Sequence, residues 1–84
     1  MNGVEQAVSV LEALAAGRAL DRASVLAGAL ALESLCAWGA PDRDVLDAAT
    51  GLNILARGGS LDLNSAGRER AQKLAEAVRV HIPG

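Results

Sequence analysis

The chain has 84 residues, with eight Lys/Arg against ten Asp/Glu for a formal charge of −2, and 51% of its residues are apolar, Trp38 being the one aromatic. That length allows a single domain with no room for a second core, the slight acidity disfavours phosphate backbones as partners, and the longest apolar run, Val25 to Leu32, falls far short of the roughly 18 residues that a bilayer span needs. Eighteen alanines and thirteen leucines, set against seven valines and no Phe or Tyr, favour helix over strand and predict an all-α fold.

Helix 1 is expected from about Val4 to Ala16. Val4, Val8, Leu11 and Ala15 form one stripe, joined by Ala7 and Leu14, with Glu5 and Glu12 on the polar side. Gly17 ends it, because a left-handed residue past a helix costs glycine nothing. Asp21 then offers its carboxylate to the free amides of the next helix, and Leu20 is placed to pack on Val25.

Helix 2, Arg22 to Trp38, departs from the amphipathic rule. From Ala23 to Trp38 the polar side chains are Ser24, Glu33, Ser34 and the weakly polar Cys36. A helix apolar nearly all round is buried on several sides, which a four-helix domain of this size does not easily provide. Ala27, Gly28 and Ala31 make a small-residue surface open to close backbone approach, while Leu26, Leu30 and Leu32 present bulk. Helix 2 therefore lies either at the centre of the bundle or on a self-association surface. The candidate interface residues are Leu26, Ala27, Leu30, Ala31, Glu33 and Trp38, and the expected assembly is a homodimer, with another protein as the other possible partner. Glu33 reaches solvent, pairs with an Arg of another helix, or fixes register in a dimer. Trp38 anchors an interface or plugs the end of the bundle.

The segment "GAPD" stops helix 2 at Gly39 and lets Asp42 cap helix 3, expected over Arg43 to Arg57, with Asp44 and Asp47 in its first turns and Arg57 at its end. Val45, Ala49, Leu52 and Ala56, with Ala48 and Leu55, face inward. Helix 4 is expected from Leu63 to about His81 behind an Asp62 cap, or from Ser65, since Asn64 and Ser65 also cap. Its stripe runs through Ala71, Leu74, Ala75, Val78 and Ile82. Its outer face is charged, and Glu69 and Lys73 stand in the favourable i,i+4 order, so it reads as solvated surface, with a weakly basic docking face as the alternative.

Two segments repeat one pattern. "LEALAAGRALDRAS" (Leu11 to Ser24) and "LNILARGGSLDLNS" (Leu52 to Ser65) match at seven of fourteen positions with an offset of 41. The weight rests on G-x-x-L-D-x-x-S, which encodes helix, short turn, helix. The expected architecture is a compact four-helix arrangement built from two similar helical hairpins, about 4–38 and 43–81, within one domain spanning 1–84. Internal duplication and chance likeness between Ala-rich helices both account for the repeat.

Chemistry is sparsely provided. His81 is the one histidine and stands beside "IPG"; Cys36, on the apolar helix, reads as a small buried hydrophobe. Asp42, Asp44 and Asp47 lack the glycine and terminal Glu of an EF-hand loop. "ARGGSLDLNS" lacks the G-x-x-x-x-G-K-[ST] of a phosphate loop. No catalytic, cofactor-binding or metal-ligating residue is assigned, no cofactor or small-molecule substrate is evident, and an enzyme is not expected. One cysteine and the lack of a basic leader point to a reducing cytoplasm, and the Ala, Gly and Arg usage to a bacterium. The expected function is a non-catalytic protein–protein interaction module: a small helical adaptor, chaperone-like or accessory subunit. The alternative is a DNA-binding regulator with a helix-turn-helix-like element in 58–74, offering Asn64, Ser65, Arg68 and Arg70.

Overall fold

Glycines and caps divide the chain much as their chemistry requires. The computed structural model describes residues 3–39 and 42–82 and folds them into α1 (Gly3–Ala16), α2 (Arg22–Ala37), α3 (Arg43–Ala56) and α4 (Ser65–Arg79), with no strand among the described residues. The all-α expectation holds, and α1 to α3 begin and end within a residue of their expected bounds.

The repeat has a structural counterpart at the helix ends. Gly17 (φ +70°) and Gly58 (φ +87°) are both left-handed. Around them the same bonds recur: the Arg18 amide donates to the Ala13 carbonyl at 2.9 Å, as the Gly59 amide does to Ile54 at 2.9 Å, and the Gly17 and Gly58 amides donate to Leu14 and Leu55. This six-to-one closure satisfies carbonyls that a helix end leaves free.

The following helix starts differ. Asp21 caps α2, accepting from the Ser24 amide at 3.3 Å and the Ser24 hydroxyl at 2.9 Å. Asp62 does not cap α4. Asn64 does, accepting from the Gly67 amide at 2.9 Å, so α4 starts at Ser65 and not at Leu63. The chain folds back tightly there: a Cβ on Gly67 would stand 2.2 Å from the Asp62 carbonyl oxygen. Leu61 lies over Gly51 of α3, its Cδ1 3.7 Å from where a Cβ on that glycine would stand.

Asp42 caps α3 through the Val45 amide at 3.0 Å. Asp42→Ala is expected to lower stability by about 1 kcal/mol, the usual worth of an N-cap, read as a lower urea midpoint at unchanged slope. An unchanged midpoint would mean that water replaces the cap at no cost.

Each helix packs on its chain neighbour, and α4 closes the ring by packing on α1. The stripes of α1, α3 and α4 meet inside as expected, with Val8, Leu11, Leu52, Leu74 and Val78 in one core together with Val25 and Leu32 of α2. The radius of gyration, 11.3 Å, is close to the value of about 12 Å for a folded chain of this length. Side-chain ties cross the ring: Arg79 pairs with Glu12, joining α4 to α1, and Arg70 of α4 reaches Asp44 at 2.8 Å and Asp47 at 2.7 Å on α3. No described helix is long and apolar enough to cross a membrane.

Candidate functional site

The position of α2 in the ring decides which of its apolar residues are covered. Val25, Gly28, Ala29 and Leu32 point inward and are buried. The small-residue surface is taken by α1 of the same chain. A Cβ on Gly28 would lie 2.9 Å from the Ala7 Cα, and one on Gly3 would lie 2.8 Å from the Ala31 Cβ. Two small pairs thus let the α1 and α2 backbones approach closely, and Ala27 and Ala31 are half-buried along this contact.

The opposite flank of α2 is open. Leu26 is 40% exposed, Leu30 65% and Trp38 88%, and Glu33 is also exposed. Of the two placements expected for helix 2, the centre of the bundle is not the one it takes: in a ring of four helices each has two neighbours, and the outward side of α2 stays exposed among the described residues. Of the six residues singled out in the sequence, Leu26, Leu30, Glu33 and Trp38 lie on this flank or at its end, whereas Ala27 and Ala31 face α1. Along the flank Ala23, Leu26, Leu30, Glu33 and Ala37 follow one another at intervals of three and four residues, the spacing of a coiled-coil seam.

Beside this flank runs a shallow groove of about 400 Å³ between α2 and α3, lined by Glu33 and Cys36 on one side and Leu46, Thr50 and Ile54 on the other. Glu33 accepts from the Asn53 amide nitrogen at 3.3 Å across it. Leu46 and Ile54 are exposed apolar residues that the sequence reading passed over. Their signal was there: with Thr50 they form an i, i+4, i+8 row off the inward stripe of α3.

A second, more apolar cleft of about 360 Å³ lies between α3 and α4, with Leu11, Leu52 and Leu74 on its floor and Leu61 and Leu63 at its mouth. Its rim cation, Arg70, is held by Asp47 and Asp44, whose hydrogen bonds raise its pKa above the already high arginine value. Of the charges on this rim, Arg70 and Asp47 are engaged with each other, and Asp62 accepts from the Asn64 side-chain amide. The same bonds account for two members of the acidic trio, and the third, Asp42, is the α3 cap.

The candidate DNA-reading residues are likewise engaged within the chain. Asn64 caps α4, Arg68 donates through Nε to the Leu63 carbonyl at 3.1 Å, and Arg70 is paired as above; Ser65 is exposed in the first turn. Among the described residues no group of three or more His, Cys, Asp or Glu side chains is arranged to hold a metal ion. Cys36 is a free, half-buried thiol in the α2–α3 groove, and His81 lies in the turn that ends α4, its amide bonded to the Val78 carbonyl. The arrangement offers an apolar surface and bound charges. Neither a family model, a curated protein nor a solved structure matches this chain.

Proposed function

We propose that this protein is a non-catalytic protein–protein interaction module, a small helical adaptor or accessory subunit that works through the open flank of α2 and self-associates through it. The observation that carries this reading is the exposure of Leu30, at 65% in the middle of the flank, with Leu26 before it and Trp38 at the helix end. Burying a leucine is worth about 1.5–3 kcal/mol. A helix with one charge between Ala23 and Trp38 has little reason to present such residues to water unless something covers them. The outer face of α4 shows the contrast, since Glu69, Lys73 and Glu76 there give a solvated surface.

Self-association also answers a shortage. A chain of this length buries only about 60–65% of the surface its unfolded form exposes, and a second copy supplements a core of that size. The free thiol of Cys36 fits a reducing compartment.

Light scattering over about a hundredfold dilution, with Trp38 emission followed in the same samples, tests the reading, because the stability and size of a dimer depend on concentration. The wild-type chain is expected to pass from dimer to monomer, with Trp38 emission shifting to the red. Leu30→Lys is expected to be monomeric throughout with unchanged helical circular dichroism, since the side chain it replaces faces solvent in the single chain. A wild-type monomer at every concentration, with constant Trp38 emission, would sink the proposal of self-association.

A further inference from the structure

The open flank of α2 is self-complementary in one orientation. Its seam residues are Ala23, Leu26, Leu30, Glu33 and Ala37, and its charges are unevenly placed: Arg22 at the start of the helix and Glu33 toward its end. Both charged residues are exposed and both reach toward α3, Arg22 donating to the Ala56 carbonyl and Glu33 accepting from Asn53. They therefore lie along the same edge of the flank.

Resting on the self-association reading above, we infer that the occupant is a second copy docked antiparallel about a twofold axis, with Leu26 of each copy on the partner's Leu30 and Glu33 of each beside the partner's Arg22. A twofold axis perpendicular to two antiparallel helices keeps each edge of the flank next to the same edge of the partner, so Glu33 and Arg22 meet on one side. With the axis level with residue 28, Leu26 stands opposite the partner's Leu30 and Ala23 opposite the partner's Glu33. Two leucine layers fill the middle of the seam. At each end the small Ala23 leaves room for the stem of the glutamate.

The electrostatics select this orientation. Glu33 arrives at the first turn of the partner's α2, where the partner's Arg22 lies one residue away, roughly 1.5 Å along the helix. The positive end of that helix favours a carboxylate as well. Parallel pairing would set Glu33 against its own copy inside an apolar seam, with like charges opposed and the arginines far away. Isologous contact of this kind closes on itself and gives a dimer, not a fibre.

Charge reversal tests the register. Glu33→Arg and Arg22→Glu, each alone, are expected to raise the dissociation constant about tenfold, and the double variant is expected to return to within about threefold of wild type, because the pair is re-formed with its signs exchanged. Both positions are exposed, so the monomer fold is expected to survive and circular dichroism checks it. In a Cys36→Ser background, mixing Ala23→Cys chains with Glu33→Cys chains is expected to give a mixed disulfide, while neither chain alone is linked to itself. A wild-type dimer whose double variant is weaker than either single, or self-linking of Ala23→Cys chains, would overturn this arrangement while leaving self-association standing. A wild-type monomer would overturn both.

Discussion

Leu32→Ala is expected to remove about 3 kcal/mol of stability, while Leu30→Ala, two positions away on the same helix, changes it by less than about 0.5 kcal/mol in dilute, monomeric samples. Leu32 is fully buried among the core residues of all four helices, and truncation leaves a void that a ring of packed helices fills only in part. Leu30 faces water and leaves none. The whole domain is expected to hold only about 4–13 kcal/mol, at the usual range per residue, so Leu32→Ala consumes a large share of it. Urea titration reads the difference as a lower midpoint at unchanged slope. Equal losses for the two variants would show that α2 is turned differently in the ring, and the interaction surface proposed on its outer flank would go with it.

Gly28→Val is expected to be at least as damaging, for the opposite reason. A Cβ at this position would meet the Ala7 Cα at 2.9 Å and the Ala7 nitrogen at 3.1 Å. These are backbone atoms of a buried residue, so no side chain can rotate away, and α1 and α2 must separate. Overpacking usually costs about 1–3 kcal/mol, and a branched side chain against backbone belongs at or beyond the upper end. Gly28→Ala adds one methyl group and is expected to destabilise too, although in an exposed helix the same change would gain about 1 kcal/mol from helix propensity. The check is a urea titration of both variants beside amide hydrogen exchange in α1, where the α1–α2 contact is expected to lose protection. A stabilised Gly28→Ala would mean that the two helices have slack between them.

Much of this fold was legible because its signals are local. Gly17, Gly58, Asp21 and Asp42 act within a few residues of themselves, and they ended or began helices where their chemistry said they would. The start of α4 was ambiguous because Asp62 and Asn64 are equally good caps when judged alone; the choice accompanies the close approach of Gly67 to the Asp62 carbonyl, a contact within a turn whose path the sequence does not spell out. The small residues on α2 were readable as a site of close approach, but not whose backbone would approach. That depends on Gly3 and Ala7 facing Ala31 and Gly28 across the first hairpin, a pairing of distant positions. The open flank was hidden by composition: a helix apolar all round does not say which side its neighbours cover. Leu46 and Ile54 went unnoticed because the inward stripe of α3 already accounted for that helix.

The closing of the ring by α4 on α1 bears on how the chain reaches this fold. Three of the four main helix interfaces join consecutive helices, so they are local in the sequence and can assemble quickly. The fourth must bring together helices separated by the whole of α2 and α3. Loop-closure entropy therefore falls most heavily on the docking of the last helix on the first. The Glu12–Arg79 pair straddles that seam and ties together the first and last helices of the chain.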